Sequence, residues 1–147
     1  MPPTTDPHDL LVALLEIQIS MERRSESFFA PFGLTSAQFN ILNLLGYNEG
    51  RMDQAALVES LLVGKSSISI VLNRMVRENL VKREEHPQDR RQVVLVLTAK
   101  GRALWRKIAP VYEEGVKEIF GALPVTRRKS FLADLQILQA ALNRLAT

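Results

Sequence analysis

Apolar residues recur at helical spacing near both ends of the chain. Between Leu10 and Phe28 they stand three, four or seven positions apart, and Asp6 followed by Pro7 is typical of a helix start. A second stripe runs along the last 20 or so residues. Its members are Phe131, Leu135, Leu138, Leu142 and Leu145. The pattern predicts a long helix at each end, with an apolar face that the first helix cannot bury alone.

The middle of the chain has a different pattern. Residues 35–45 and 53–62 read as two helices, and a third, KSSISIVLNRMVREN at 65–79, follows after a short turn that contains Gly64. Two stretches rich in Val and Leu, 80–84 and 91–98, then read as the strands of a hairpin. A helix-turn-helix followed by a β-hairpin is a winged helix. The predicted fold is therefore mainly α with a small β-wing.

The 65–79 helix has an unusual outer face. Its predicted inner stripe is Ile68, Leu72, Met75 and Val76. Its predicted outer residues are Lys65, Ser66, Ser67, Ser69 and Asn73. Exposed helix faces usually favour Glu, Lys and Gln, because Ser competes for backbone hydrogen bonds. Small polar side chains suit a helix whose backbone approaches a base edge or a phosphate.

Charge is unevenly distributed although the net charge is only +3. Residues 65–107 carry eleven Lys or Arg against four Asp or Glu, a surplus of seven positive charges. Residues 1–50 carry two against six, a surplus of four negative charges. This asymmetry favours one face built for a polyanion, and a random solvated distribution is the alternative.

The segment EHPQDRR at 85–91 places two arginines at the tip of the predicted hairpin. If Asp89 and Arg91 belong to a strand, they point to the same side, and Asp89 is then expected to pair with Arg91 and orient it. An oriented arginine suits a narrow minor groove, where the phosphate potential is most negative. The alternative is an exposed ion pair worth only ~0–1 kcal/mol.

Several functional classes are disfavoured. The chain has no cysteine, so disulfides, thiol catalysis and thiol redox sensing are excluded. Its two histidines, His8 and His86, have no ligand-spaced partner, so neither a metal site nor a cofactor is predicted. GKSS at 64–67 lacks the earlier glycine and the strand of a phosphate loop. Without a recognisable arrangement of nucleophile, acid and base, we expect the protein not to be an enzyme. We also expect it to be cytoplasmic, since membrane-span and signal-peptide patterns are missing.

The arrangement resembles the multiple antibiotic resistance regulator (MarR) family of winged-helix transcription factors. The most specific match joins Asp89, Arg91, Leu97, Thr98 and Gly101 after the helix-turn-helix. The resemblance implies one MarR-type domain over 1–147, with a DNA-binding lobe at 35–100 and a helical dimerisation lobe formed by 7–31 and 110–146. It also implies a homodimer bound to a pseudo-palindromic double-stranded DNA.

Carried over by position, the resemblance assigns DNA contacts to the recognition helix and the wing. These are Lys65, Ser66, Ser67, Ser69, Asn73 and, near phosphate, Arg74, together with Arg91 in the minor groove, Arg90 on the backbone and Asp89 beside them. Asn79 stands where many members have Gly, and Asn tolerates the same left-handed conformation.

The resemblance further implies a small effector, often phenolic or aromatic, bound between the dimer helices and the DNA-binding lobe. Candidate pocket residues are Met21, Phe28, Phe39 and Trp105, for which plain core packing is the alternative. The expected function is that of a ligand-responsive repressor. The competing hypothesis is a winged helix that binds another protein, or one that shapes DNA without an effector.

Overall fold

The computed structural model describes residues 6–61 and 65–145, and only the backbone of Lys65 and Ser66. Six α-helices and three β-strands lie in these ranges. In chain order they are α1 (Pro7–Phe29), α2 (Ser36–Tyr47), β1 (Arg51–Asp53), α3 (Gln54–Ser60), α4 (Lys65–Arg77), β2 (Val81–Glu85), β3 (Val93–Leu97), α5 (Ala99–Gly121) and α6 (Val125–Leu145). The chain divides after Arg106 into two compact units.

The helix starts follow from the residues that precede them. The Asp6 carboxylate accepts a hydrogen bond from the His8 amide at 2.9 Å, as its place before Pro7 predicted. Thr35 and Gln38 form a capping box at the start of α2. These caps satisfy amides that have no partner inside the helix, so each helix begins where the sequence indicated.

The sheet is antiparallel, with the strand order β1-β3-β2. Val81 pairs with Leu97 and Glu85 with Val93, which makes β2 and β3 the wing. The sequence predicted this hairpin but extended its second strand from 91 to 98, whereas β3 begins at Val93. The prediction of a strand at Arg91 is wrong, because the residues before Val93 form the turn at the wing tip.

Strand β1 was not predicted from the sequence. It covers only three residues and pairs with the outer edge of β3, Arg51 facing Val96. The turn before it contains Glu49 and Gly50 in the left-handed region, with φ of 57° and 88°. A strand this short carries no periodicity, so the sequence indicated only a break after α2.

The core of the first unit holds α4 in place. Ile68, Leu72 and Met75 are buried, and Val76 is half-buried, so the predicted inner stripe of α4 is confirmed. These side chains belong to a core shared with α2 and β3. Its other fully buried members include Phe39, Ile41, Leu42, Leu45, Leu57 and Leu95. Packing of α4 against α2 and β2 therefore fixes which face the helix turns to solvent.

The helices near the two ends keep their apolar stripes exposed. The exposed large side chains of α1 include Leu10, Leu11, Leu14, Leu15, Ile17 and Met21. Those of α6 include Phe131, Leu132, Ile137, Leu138 and Leu142. In the ranges that the structure describes, no helix is both long enough and apolar enough to cross a membrane.

Candidate nucleic-acid interface

The outer face of α4 is polar and open to solvent. Ser67, Ser69, Asn73 and Arg74 are all exposed, as the sequence predicted. The side chains of Lys65 and Ser66, which belong to the same prediction, lie outside the described residues. The face therefore offers hydroxyl, amide and guanidinium groups along one helix, which are groups that hydrogen-bond to phosphates and base edges.

One residue of this face was missed in the sequence analysis. Ile70 is 72% exposed, although it lies only two positions from Ile68 and Leu72, which are almost fully buried. A helical projection would have revealed it, because Ile70 falls off the stripe that contains the buried residues of α4.

A network of hydrogen bonds behind this face holds Arg74. Glu78 accepts a hydrogen bond from Arg74 Nε at 2.7 Å through one carboxylate oxygen and from Gln38 Nε2 at 3.1 Å through the other. Gln38 is buried, so its amide depends on this partner. Lys100 Nζ also donates to the Glu78 carbonyl at 2.8 Å. The end of α4 is thus tied to α2 and to the start of α5.

Only part of this network carries a sequence signal. Arg74 and Glu78 stand four residues apart on one helix, a spacing at which opposite charges pair. Gln38 and Glu78 are 40 residues apart and meet only because α2 packs against α4. No local pattern predicts that contact.

The turn after α4 positions the base of the wing. Asn79 has a φ of 57°, which confirms the predicted left-handed residue at this point. The Thr98 hydroxyl lies 2.6 Å from the Asn79 carbonyl oxygen and also accepts the Gly101 amide at 3.0 Å. A Cβ at Gly101 would collide with the Leu80 carbonyl oxygen, so the glycine permits α5 to approach the turn closely. The Thr98 and Gly101 of the sequence motif therefore have structural roles.

Asp89 organises the wing tip through hydrogen bonds to the turn, and not through the expected ion pair with the Arg91 side chain. One Asp89 oxygen accepts the backbone amide of Arg91 at 3.0 Å, and the other accepts Gln92 Nε2 at 3.3 Å. The expected side-chain pair between Asp89 and Arg91 is wrong, because Arg91 lies in the turn and only its amide faces the carboxylate. The Arg91 side chain is exposed and pairs with no carboxylate in the part of the chain that the structure describes.

Neighbouring contacts attach the tip to the sheet. Arg90 Nε lies 4.0 Å from a Glu85 oxygen, and both side chains are more than three quarters exposed. Such a pair contributes ~0–1 kcal/mol and is readily exchanged for a phosphate. His86 Nε2 lies 3.8 Å from an Asp53 oxygen and joins the root of the tip to β1.

The cations on the wing strands have partners of their own. Lys82 Nζ donates to Glu84 at 2.6 Å, and Arg51 lies 3.8 Å from the same carboxylate. The hydrogen bond from Lys82 lowers the pKa of Glu84 below its ordinary value; desolvation opposes this shift, and the charges of Lys82 and Arg51 add smaller lowering effects. Arg83 Nε donates to Gln54 at 3.2 Å. Lys82 and Arg51 are thus partly neutralised by Glu84, whereas the Arg91 side chain has no carboxylate partner among the described residues.

The four candidate pocket residues occupy different environments. Phe39 is completely buried and stacks on Phe29 at a centroid distance of 4.7 Å. Phe28 is half-buried and meets Phe29 edge to face, while Met21 is exposed. Trp105 is half-buried.

Trp105 is fixed by polar and aromatic contacts. Its indole Nε1 donates to Asn43 at 3.0 Å, and its ring meets Tyr47 edge to face. Two open grooves of about 390 and 360 Å³ lie beside β1 and the wing, and none of the four candidate residues lines them. Between residues 6–61 and 65–145, no three His, Asp or Glu side chains cluster as metal ligands would.

The geometry defines a class of protein. Two consecutive helices, α3 and α4, precede a β-hairpin, and the second helix exposes a polar face while the hairpin exposes an arginine at its tip. This is a winged helix-turn-helix protein.

Comparisons with known proteins agree with this class. Residues 32–92 match the sequence profile of the MarR family. The crystal structure of AbsC, a MarR family transcriptional regulator from Streptomyces coelicolor, is 32% identical, with a TM-score of 0.77 over 97% of this chain and 93% of that one. This chain belongs to the MarR family of transcriptional regulators.

Two curated regulators are also similar. FarR of Neisseria gonorrhoeae, an HTH-type transcriptional regulator, is 26% identical over 96% of this chain and 99% of its own length. YetL of Bacillus subtilis, an HTH-type transcriptional repressor, is 30% identical over 69% of this chain. The match spans only 62% of the length of YetL.

Proposed function

We propose that this protein is a DNA-binding repressor that acts as a homodimer on a pseudo-palindromic operator and is released by a small ligand. The observation that carries the DNA-binding part is that α4 exposes a polar face and the wing tip exposes Arg91, whose side chain has no carboxylate partner among the described residues. A recognition helix in the major groove and a wing arginine in the minor groove would use both. The Staphylococcus aureus regulator MepR, whose structure includes DNA, supports this through a shared fold, with a TM-score of 0.78 at 20% identity.

The proposed contacts divide by chemistry. Ser67, Ser69 and Asn73 would read base edges or neighbouring phosphates, while Arg74, already oriented by Glu78, would contact phosphate. Lys65 and Ser66 would add contacts from the recognition helix, and Arg90 would contact the DNA backbone, as the family resemblance implies. The Arg91 side chain would enter the flanking minor groove. Asp89 would hold the turn in place by accepting a hydrogen bond from the Arg91 backbone amide.

The proposed dimer rests on the exposed apolar stripes of α1 and α6. Soluble monomers rarely expose contiguous apolar patches of more than a few hundred Å². A second copy would cover these stripes if 7–31 and 110–146 form a dimerisation lobe and 35–100 forms the DNA-binding lobe. A dimer would also place two recognition helices on two half-sites about 10 bp, or one helical turn, apart.

The proposed ligand is a small aromatic or phenolic acid. A regulator of the same fold, RdhR, has been crystallised with 2,4-dichlorophenol, with a TM-score of 0.77 at 16% identity. In this chain the candidates Met21, Phe28, Phe39 and Trp105 supply aromatic and thioether surface. Since Phe39 is fully buried, binding beside it would require side chains to move, whereas the half-buried Trp105 is held in place by its hydrogen bond to Asn43.

The proposal is tested by a gel shift on the duplex upstream of the protein's own gene, with and without a panel of aromatic acids. We expect a retarded complex, a footprint over two inverted half-sites and release by at least one acid. A footprint over a single half-site would contradict the dimer geometry. Failure to bind this duplex, together with capture of a protein through the wing, would favour the protein-binding alternative.

A further inference from the structure

We infer that Ile70 reads the methyl group of a thymine in each half-site and so sets part of the sequence preference. This inference rests on the proposed DNA-binding function of α4.

The position of Ile70 is central to the face. Ser67 lies three residues before it, while Asn73 and Arg74 lie three and four residues after it. Residues at these separations are neighbours on a helix surface, so Ile70 is surrounded by polar side chains that are themselves exposed. A groove that receives Ser67 and Asn73 must also receive Ile70, which lies between them.

Ile70 does not contribute to the buried core of the first unit. Its side chain is 72% exposed, whereas Ile68 and Leu72 are 2% and 1% exposed. Isoleucine is also a weaker helix former than the residues usual on exposed faces, so helix stability does not account for it. Single exposed apolar residues are common, but this one stands at the centre of a face built from polar groups.

The chemistry identifies the ligand group. In the major groove the C5-methyl of thymine is the one apolar group that a base presents, and apolar side chains contact it. A partner protein would require a contiguous apolar patch, and the described residues three and four positions from Ile70 on α4 are polar. One branched aliphatic side chain matches one methyl group.

The expected effect is modest and local. Burying one methyl-sized group contributes about 0.8 kcal/mol, which is about fourfold in affinity. A dimer that makes the contact twice would lose about 16-fold when both thymines lose their methyl groups. Because deoxyuridine differs from thymidine only by that methyl, it removes the proposed contact without changing base pairing.

The experiment begins by selecting duplexes from a randomised pool with the wild-type protein. Each thymine of the enriched half-site is then replaced by deoxyuridine, and binding is measured by fluorescence anisotropy at fixed salt. For wild type we expect one thymine per half-site at which replacement weakens binding about fourfold. Ile70→Ala should bind the thymine and deoxyuridine duplexes equally.

Ser67→Ala is the matched control, because it changes a neighbour on the same face. It should lower affinity while retaining the thymine preference at that position. Ile70→Ala is expected to fold normally, since the side chain is exposed and Ala is a better helix former. Unchanged far-UV circular dichroism and melting temperature check this.

The outcomes separate the two claims. If Ile70→Ala still discriminates thymine from deoxyuridine as strongly as wild type does, the inference is overturned and the DNA-binding proposal stands. The same holds if wild type binds equally well after every thymine replacement. A pool from which no sequence is enriched would overturn the DNA-binding proposal itself, and this inference with it.

Discussion

Replacing Asp89 in two ways separates its charge from its hydrogen bond to the wing backbone. Asp89→Ala and Asp89→Asn remove the same negative charge from the wing tip, so each should gain the same electrostatic advantage toward DNA. Asn can still accept the Arg91 amide, as Asn commonly does two residues before a backbone N–H in a turn, whereas Ala cannot. The ratio of their affinities therefore reports the turn alone.

The size of the effect follows from the contact. The hydrogen bond that Asp89→Asn keeps and Asp89→Ala loses joins two neutral groups, and such a bond contributes ~0.5–1.5 kcal/mol, so we expect ~1 kcal/mol per wing. If each of two wings loses that amount, Asp89→Ala should bind operator ~2 kcal/mol, or about 30-fold, more weakly than Asp89→Asn. Arg91→Ala alone should cost ~1–3 kcal/mol per subunit.

The assay is fluorescence anisotropy at fixed salt on operators with A·T-rich or G·C-rich flanks. In an Arg91→Ala background the two Asp89 variants should differ by less than about twofold, because the turn then has no arginine to present. Arg91→Ala should also lose more on A·T-rich flanks, where a narrow groove concentrates negative potential. Equal affinities of Asp89→Ala and Asp89→Asn in the wild-type background would refute the role assigned to this turn.

Three further predictions concern residues that position the DNA-binding face or form the proposed dimer. Glu78→Ala should lower the free energy of unfolding by ~1–3 kcal/mol in urea denaturation, because the buried Gln38 amide loses its acceptor, whereas Glu78→Gln should cost less than half as much; equal losses would argue against that hydrogen bond. Gly101→Ala should lower the melting temperature in calorimetry, since the added Cβ collides with the Leu80 carbonyl, and an unchanged melting temperature would contradict the close approach. Leu138→Asp should yield monomer or aggregate in sedimentation and abolish operator binding, and an intact dimer would remove Leu138 from the interface.

The elements that could be predicted were those with a local signal. Asp6 before Pro7 marked a helix start that the structure confirms, and α2 begins within one residue of the start that the sequence predicted at 35. The inner stripe of α4 and the left-handed Asn79 followed equally from periodicity and turn chemistry. Each of these features depends on residues within a few positions of one another.

Apart from Ile70, which a helical projection would have revealed, the features that were missed depend on tertiary structure or on the exact end of an element. β1 exists because β3 offers it an edge, and its three residues show no pattern. The Gln38 to Glu78 hydrogen bond crosses between two helices. The pair expected between Asp89 and Arg91 was wrong because the strand begins two residues after Arg91, and strand ends are set by the turn rather than by composition.

The most direct test of the account measures the affinity of the purified wild-type protein for its enriched duplex and for a scrambled duplex of the same composition, over a series of salt concentrations. A sequence-specific regulator should prefer its own duplex by ~10³ or more near physiological salt, and its affinity should fall steeply as salt rises. Equal affinity for the two duplexes, or an affinity that salt does not change, would contradict the account.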